Sequence, residues 1–181
     1  SKSEREKEMA KSSESISTAT ISSELSPSII SQLELVFSSV KVNEPIPESM
    51  SGSDSYSDLV RGILKLDQVQ RGRLSCLLTV KPFVSNIYGH LHGGAVAATA
   101  EVVAVACART VVGEEKELFL GELGMTYLSS APANAEVIVE ASIVRRGRNL
   151  TVISVEFRLK GTTKLVYTAR VTFYHMPVAK L

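Results

Sequence analysis

Asn86, His92, Gly93, Gly94 and Glu101 lie in one stretch, NIYGHLHGGAVAATAE, and their order suits one kind of chemistry. Two glycines at the start of an apolar helix let backbone N–H groups approach a ligand closely. The first N–H groups of a helix have no internal partner, and the helix dipole favours negative charge there. Such a turn can bind an anion, or hold a carbonyl oxygen as it becomes an oxyanion during acyl transfer; it can equally be a plain packing turn. Glu101 points to the first reading. It follows Gly94 by seven residues, about 10.5 Å along a helix axis at ~1.5 Å per residue. Its neighbours are Ala98, Ala100, Val102, Val103 and Val105. A carboxylate buried among such residues needs a partner or a purpose. It is either a structural acid paired with a cation such as Arg109, or a base or nucleophile facing a cleft. At that distance it cannot serve a carbonyl held at its own helix start. Two such helices, antiparallel about a two-fold axis, would bring Glu101 of one chain beside Gly93 of the other, giving two composite sites per dimer.

Asn86 sits in a loop, where its amide could orient a water or a substrate carbonyl, or simply make a turn. His92 adjoins the glycine turn; its imidazole could hydrogen-bond a thioester or a water, or fix the loop. Arg145, Arg146 and Arg148 surround Gly147 at a strand connection. Three arginines on one turn could hold phosphates or form a solvated turn. His90 and His175 have no partner at a readable spacing. HExxH, P-loop and GxSxG patterns are absent, so zinc proteolysis, nucleotide hydrolysis and serine hydrolase chemistry have no support, and no metal or cofactor is expected.

These residues need elements to hold them. Ala, Val and little else fill 95–111, which predicts a helix buried on every side, with Gly113 as its stop. Residues 60–69 and 73–81 predict a hairpin around Arg71-Gly72. Strands are expected over 118–129, 135–146, 150–160 and 164–175, joined by turns at Pro132, Gly147 and Gly161 that suit hairpins. The expected fold class is α+β: a hairpin, a central buried helix, then a four-strand meander, with an antiparallel sheet wrapped around the helix. One sheet cannot cover a helix that is apolar all round, and a second copy of the chain is the simplest cover.

Ahead of this, residues 1–28 hold ten serines and nine charges and predict a disordered tail. Five glutamates argue against a transit peptide. A short helix is expected over 29–40, where Ile29, Leu33, Val36, Phe37 and Val40 recur at helical spacing, and a linker over 41–58. The division is thus tail 1–28, helix and linker 29–58, domain 59–177 and tail 178–181. Net charge is +1 and tryptophan is absent, so neither nucleic acid nor an anionic membrane is an expected partner. No apolar run reaches the ~20 residues of a membrane span. Cys76 and Cys107 read as reduced core thiols of an intracellular protein.

The motif resembles the active-site segment of the hotdog-fold acyl-CoA thioesterases, on the branch of phenylacetic-acid-pathway thioesterases and the small acyl-CoA thioesterase 13 type. Asn86, Gly89, His92, Gly93, Gly94 and Glu101 match that pattern in order and spacing. The resemblance runs from about Leu59 to Tyr174, through GMTYLSSAP (124–132) and IVRRGRNLTVISVEF (143–157). It implies a hotdog fold and hydrolysis of an acyl-CoA to free acid and CoA by a homodimer or homotetramer. Glu101 would be the catalytic carboxylate, and the Gly93 N–H would polarise the thioester carbonyl. Asn86 and His92 would position water or substrate. Gly94, Arg145, Arg146 and Arg148 would bind the substrate, the arginines through CoA phosphates. The acid of this branch is usually Asp, whereas here it is Glu. The strand position where some relatives carry an assisting serine is Leu120. A protein that binds acyl-CoA without cleaving it would keep the arginine turn but could dispense with Glu101. The chain's last three residues, Ala179-Lys180-Leu181, resemble the peroxisomal Ser-Lys-Leu address, so a peroxisomal location is expected, with a cytoplasmic one as the alternative.

Overall fold

The computed structural model describes residues 20–39, 45–52 and 54–177. Val40 and the Ala179-Lys180-Leu181 tripeptide lie outside them, as does most of the serine-rich segment. The described residues up to Gly52 form one unit and those from Asp54 onward a second.

In the first unit, helix α1 spans Pro27–Ser39. It begins two residues before the expected Ile29, inside the stretch read as tail. Ser26 precedes it and its Oγ accepts the Ile29 N–H at 3.4 Å. Pro27 takes the first helical position, where a missing N–H costs nothing.

The second unit opens with helix α2, Ser55–Ile63. Residues 60–63 were expected to be strand and are the last turn of this helix. Asp54 caps it, accepting the Ser57 N–H, and Val60 and Ile63 are its buried residues. Strands β1 (Leu64–Gln70) and β2 (Arg73–Thr79) then form the expected hairpin. Gly72 takes a φ of +77° at its turn, a conformation that favours glycine. Helix α3 covers Gly93–Arg109. It stops at Thr110, whose Oγ1 donates to the Cys107 carbonyl at 2.7 Å, earlier than the expected stop at Gly113. Strands β3 (Lys116–Tyr127), β4 (Glu136–Arg146), β5 (Leu150–Leu159) and β6 (Leu165–Pro177) follow.

All six strands form one antiparallel sheet in the order β1-β2-β4-β5-β6-β3. The four-strand meander is therefore corrected. Only β4, β5 and β6 follow one another as neighbours, while β3 lies at the sheet edge against β6. The Pro132 turn does not close a hairpin but carries the chain away from that edge to β4 beside β2.

One face of the sheet wraps α3. Val137, Val139, Ala141, Ile153, Val155, Phe157, Val171 and Phe173 project from it, all nearly solvent-free. They meet Val96, Ala100, Val103, Ala104, Cys107 and Ala108 of the helix in one core. Cys76 and Cys107 are free and buried, as expected. As expected, one sheet covers only part of the helix. Only one stripe is buried, and Glu101, Val102, Ala106 and Arg109 are exposed. Composition was uniform round the helix, so it could not say which face the sheet takes.

Candidate functional site

The site begins where the chain leaves β2. Between Val84 and Leu91 it makes a tight loop, and Asn86 holds it together. The Asn86 N–H donates to the His90 carbonyl at 2.7 Å. The Asn86 side-chain Oδ1 accepts N–H groups from Tyr88 (3.0 Å) and His90 (3.1 Å), which is how asparagine organises a turn. Its oxygen is thus committed to the loop, and its Nδ2 group is the part left for a ligand. Gly89 makes the reversal at φ +73°.

A second segment clamps this loop. Ala131 accepts the Leu91 N–H and Gly89 accepts the Ala133 N–H, both at 2.8 Å. The Ala131 N–H in turn donates to the Tyr167 hydroxyl at 2.9 Å. The stretch expected to be a hairpin turn therefore serves as a brace for the motif.

His92 is the N-cap of α3. Its Nδ1 accepts the Gly94 N–H at 3.0 Å, so the ring carries its proton on Nε2, which is free to donate. The His92 carbonyl accepts the Val96 N–H at 3.1 Å. Gly94 is thereby satisfied, and the Gly93 N–H has no hydrogen-bond partner among the described residues. Of the two glycines, Gly93 holds the available donor.

Tyr127, at the end of β3, closes over this turn. Its hydroxyl donates to the Gly93 carbonyl at 3.0 Å. A Cβ on Gly93 would lie 3.4 Å from the tyrosine ring, so the ring packs directly on the turn. The ring meets Tyr167 edge-on at 5.8 Å between centroids, and Tyr167 meets Phe157 the same way. Sequence reasoning passed over Tyr127 because no spacing rule links a strand residue to a helix start 34 positions earlier.

Glu101 corrects the expectation of a buried acid: it is exposed on the uncovered face of α3. It makes no hydrogen bond or ion pair with any described residue. Arg109, the cation considered for it, instead donates to the carbonyls of Gly113 (3.1 Å) and Lys116 (2.7 Å). Gly94 and Glu101, seven residues apart, fall on the same flank of the helix at 3.6 residues per turn.

The three arginines part company. A β-bulge after Ile143 sets Arg145 opposite Val152 and Arg146 opposite the buried Thr151. Arg145 therefore shares the outer face of the sheet with Val152, whereas Arg146 projects to the face that holds α3. A cavity of about 310 Å³ beyond the C-terminal end of α3 is lined by Arg146, Arg148, Lys116, His175 and Glu115, and not by Arg145. Lys116 Nζ and His175 Nδ1 both reach the Arg148 carbonyl at 3.1 Å. The other histidine nitrogen contacts Thr151 Oγ1 at 2.8 Å, so the histidine that showed no partner spacing in the sequence anchors the arginine turn. Within one chain this cavity and the Gly93 turn stand at opposite ends of α3.

The described residues from 88 to 166 match the thioesterase superfamily. That stretch includes Gly89, His92, Gly93, Gly94, Glu101 and the arginine turn. That segment of the chain is similar to the superfamily. Human acyl-coenzyme A thioesterase 13 is 27% identical to it over 117 residues, 62% of this chain and 80% of that protein. Among solved structures, zebra fish thioesterase superfamily member 2 superposes with a TM-score of 0.63 at 20% identity, covering 70% of this chain and 90% of that one. A mutant of phenylacetic acid degradation protein PaaI from Thermus thermophilus gives 0.59 at 22% identity, over 66% and 99%. Together with the sheet and its central helix, these likenesses establish the α+β hotdog fold for the second unit. Family and named relatives support a thioesterase activity. No helix among the described residues is long and apolar enough to cross a membrane.

Proposed function

We propose that this protein hydrolyses acyl-CoA to free acid and CoA at sites shared between two copies of the chain. The observation that carries the reading is the division of labour at the helix start. His92 occupies the Gly94 N–H, which leaves the Gly93 N–H as a donor with no partner among the described residues. That donor would hold the thioester oxygen and stabilise the oxyanion that forms on it. On the same helix flank an unpartnered carboxylate, Glu101, stands too far off to serve its own turn, which supports a role in another copy's site.

The sheet offers a way to bring them together. β3 is an edge strand, running from Lys116 at the C-terminal end of α3 to Tyr127 at its N-terminal start. Antiparallel pairing of β3 with a second copy's β3 would set the Lys116 end of one beside the Tyr127 end of the other. Glu101 of one copy then approaches Gly93 of the other, and the Arg146–Arg148 cavity of the first approaches the same site. Glu101, as general base, would take a proton from water while its oxygen adds to the thioester carbon; as nucleophile, it would form an anhydride that water then opens. In both routes the C–S bond breaks and CoA leaves as the thiol after taking up a proton. The Asn86 Nδ2 group and the His92 Nε2–H would position water or substrate. Arg146 and Arg148, and less directly Arg145, would hold the phosphates of CoA. The test is thiol release from short, long and aromatic acyl-CoAs, run beside a Glu101→Gln protein. Release by both proteins alike, or by neither, overturns the reading.

A further inference from the structure

A glycine at a helix start is a loose place to mount a donor, because its backbone samples more conformations than any other residue. Two peptide groups flank the Gly93 Cα, and both are held. The peptide joining His92 to Gly93 is fixed through the His92 carbonyl, which accepts the Val96 N–H at 3.1 Å. The peptide joining Gly93 to Gly94 is held at both ends. Its N–H goes to His92 Nδ1 at 3.0 Å, and its carbonyl accepts the Tyr127 hydroxyl at 3.0 Å. The first two restraints come from the helix start itself. The third comes from another element, a strand 34 residues away. Tyr127 is itself braced, its ring packed on Gly93 and edge-on to Tyr167.

We infer that Tyr127 is a positioning residue: its hydroxyl locks the Gly93–Gly94 peptide so that the Gly93 N–H points at the thioester oxygen. This rests on the thioesterase reading above. The phenol touches no reacting atom in this arrangement; by holding the peptide on the C-terminal side of the Gly93 Cα it restrains the glycine backbone that carries the N–H donor. An oxyanion donor acts through its aim at the transition state, and small misplacements lower turnover more than binding.

The test is Tyr127→Phe in the full chain. Phenylalanine keeps the ring on Gly93 and Tyr167 and removes only the hydroxyl, so the melting temperature should hold. With an acyl-CoA that the wild type hydrolyses, kcat is expected to fall about tenfold, short of the ~10²–10³-fold that loss of an oxyanion donor itself costs. KM should stay within about twofold, since the lost effect belongs to the transition state. In ¹H–¹⁵N spectra the Gly93 and Gly94 amide resonances should move while those of β4 and β5 stay. Wild-type kcat, a change confined to KM, or unmoved glycine amides would each overturn the proposal while leaving the thioesterase reading intact. A wild-type protein that hydrolyses none of the esters overturns that reading instead, and the amide shifts then decide whether the peptide is pinned.

Discussion

His92 Nδ1 accepts the N–H of Gly94 at 3.0 Å, and this contact decides which of two adjacent glycines can serve a ligand. Histidine here is a helix cap of unusual type, taking the place that Ser, Thr, Asp or Asn generally fill. Its ring is left with one outward donor, Nε2–H, beside the unpartnered Gly93 N–H.

Glu101 should be indispensable for turnover and dispensable for folding. It is exposed and has no partner among the described residues, so Glu101→Gln should leave the melting temperature unchanged. Loss of a general base or nucleophile should lower kcat by ~10²-fold or more. Thiol-release kinetics beside a thermal melt read both quantities.

The shared site is tested by complementation. A chain with Asn86→Ala and Gly93→Pro loses the donor half, and proline is tolerated at the first helical position. A chain with Glu101→Ala loses the acid half. Each alone should be inactive. Equal amounts, unfolded and refolded together, should recover about a quarter of wild-type activity, because half the dimers are mixed and each holds one intact site. Mixed dimers that form and stay inactive rule out sharing.

The arginines should separate by face. Arg146→Ala or Arg148→Ala should raise KM for acyl-CoA about tenfold, the cost of a lost charge-assisted hydrogen bond, with little change in kcat. Arg145→Ala, on the other face of the sheet, should change KM by a smaller factor. With a thioester lacking the nucleotide part of CoA, all three should match wild type. A KM effect of equal size on both esters would mark the turn as structural.

Burial pushes the Cys107 thiol from its ordinary value of 9.0 up to about 11. The folded state then keeps its proton where the unfolded chain releases one. The stability this contributes is complete below the unfolded pKa and is lost as pH rises from about 9 towards 11. Urea midpoints should fall over that range more steeply for wild type than for Cys107→Ala, and the two slopes should agree below about pH 8. Parallel slopes throughout would mean that the thiol is not the group responsible.

What the sequence disclosed followed how local each feature is. The hairpin about Gly72 and the extents of β4, β5 and β6 were legible, because alternation and turn residues sit within a few positions of one another. Helix α2 was not: VRGI reads equally as strand, and only Asp54 three residues ahead of Ser57 signals the cap. The edge position of β3 was hidden because its pairing with β6 is long-range, as was the contact of Tyr127 with Gly93. The exposure of Glu101 was missed for another reason. A helix of Ala and Val carries no mark of which face its own sheet will cover and which it leaves open.

The strand order also governs when the protein can finish folding. β3 leads the β3–β6 region in the chain, yet its one hydrogen-bonded neighbour, β6, comes last, with Lys116 paired to Pro177. During synthesis β1, β2 and α3 emerge first, and β3 then waits through β4 and β5 before its partner leaves the ribosome. Until then Tyr127 has no fixed strand to stand on, and the Gly93 turn lacks its long-range restraint. Pairings of such sequence separation are slow to form and leave strand edges open to association in the meantime. The Tyr127–Gly93 contact is therefore among the last features to be completed, and a ribosome stalled before Leu165 would display a helix with its glycines in place and no strand against them.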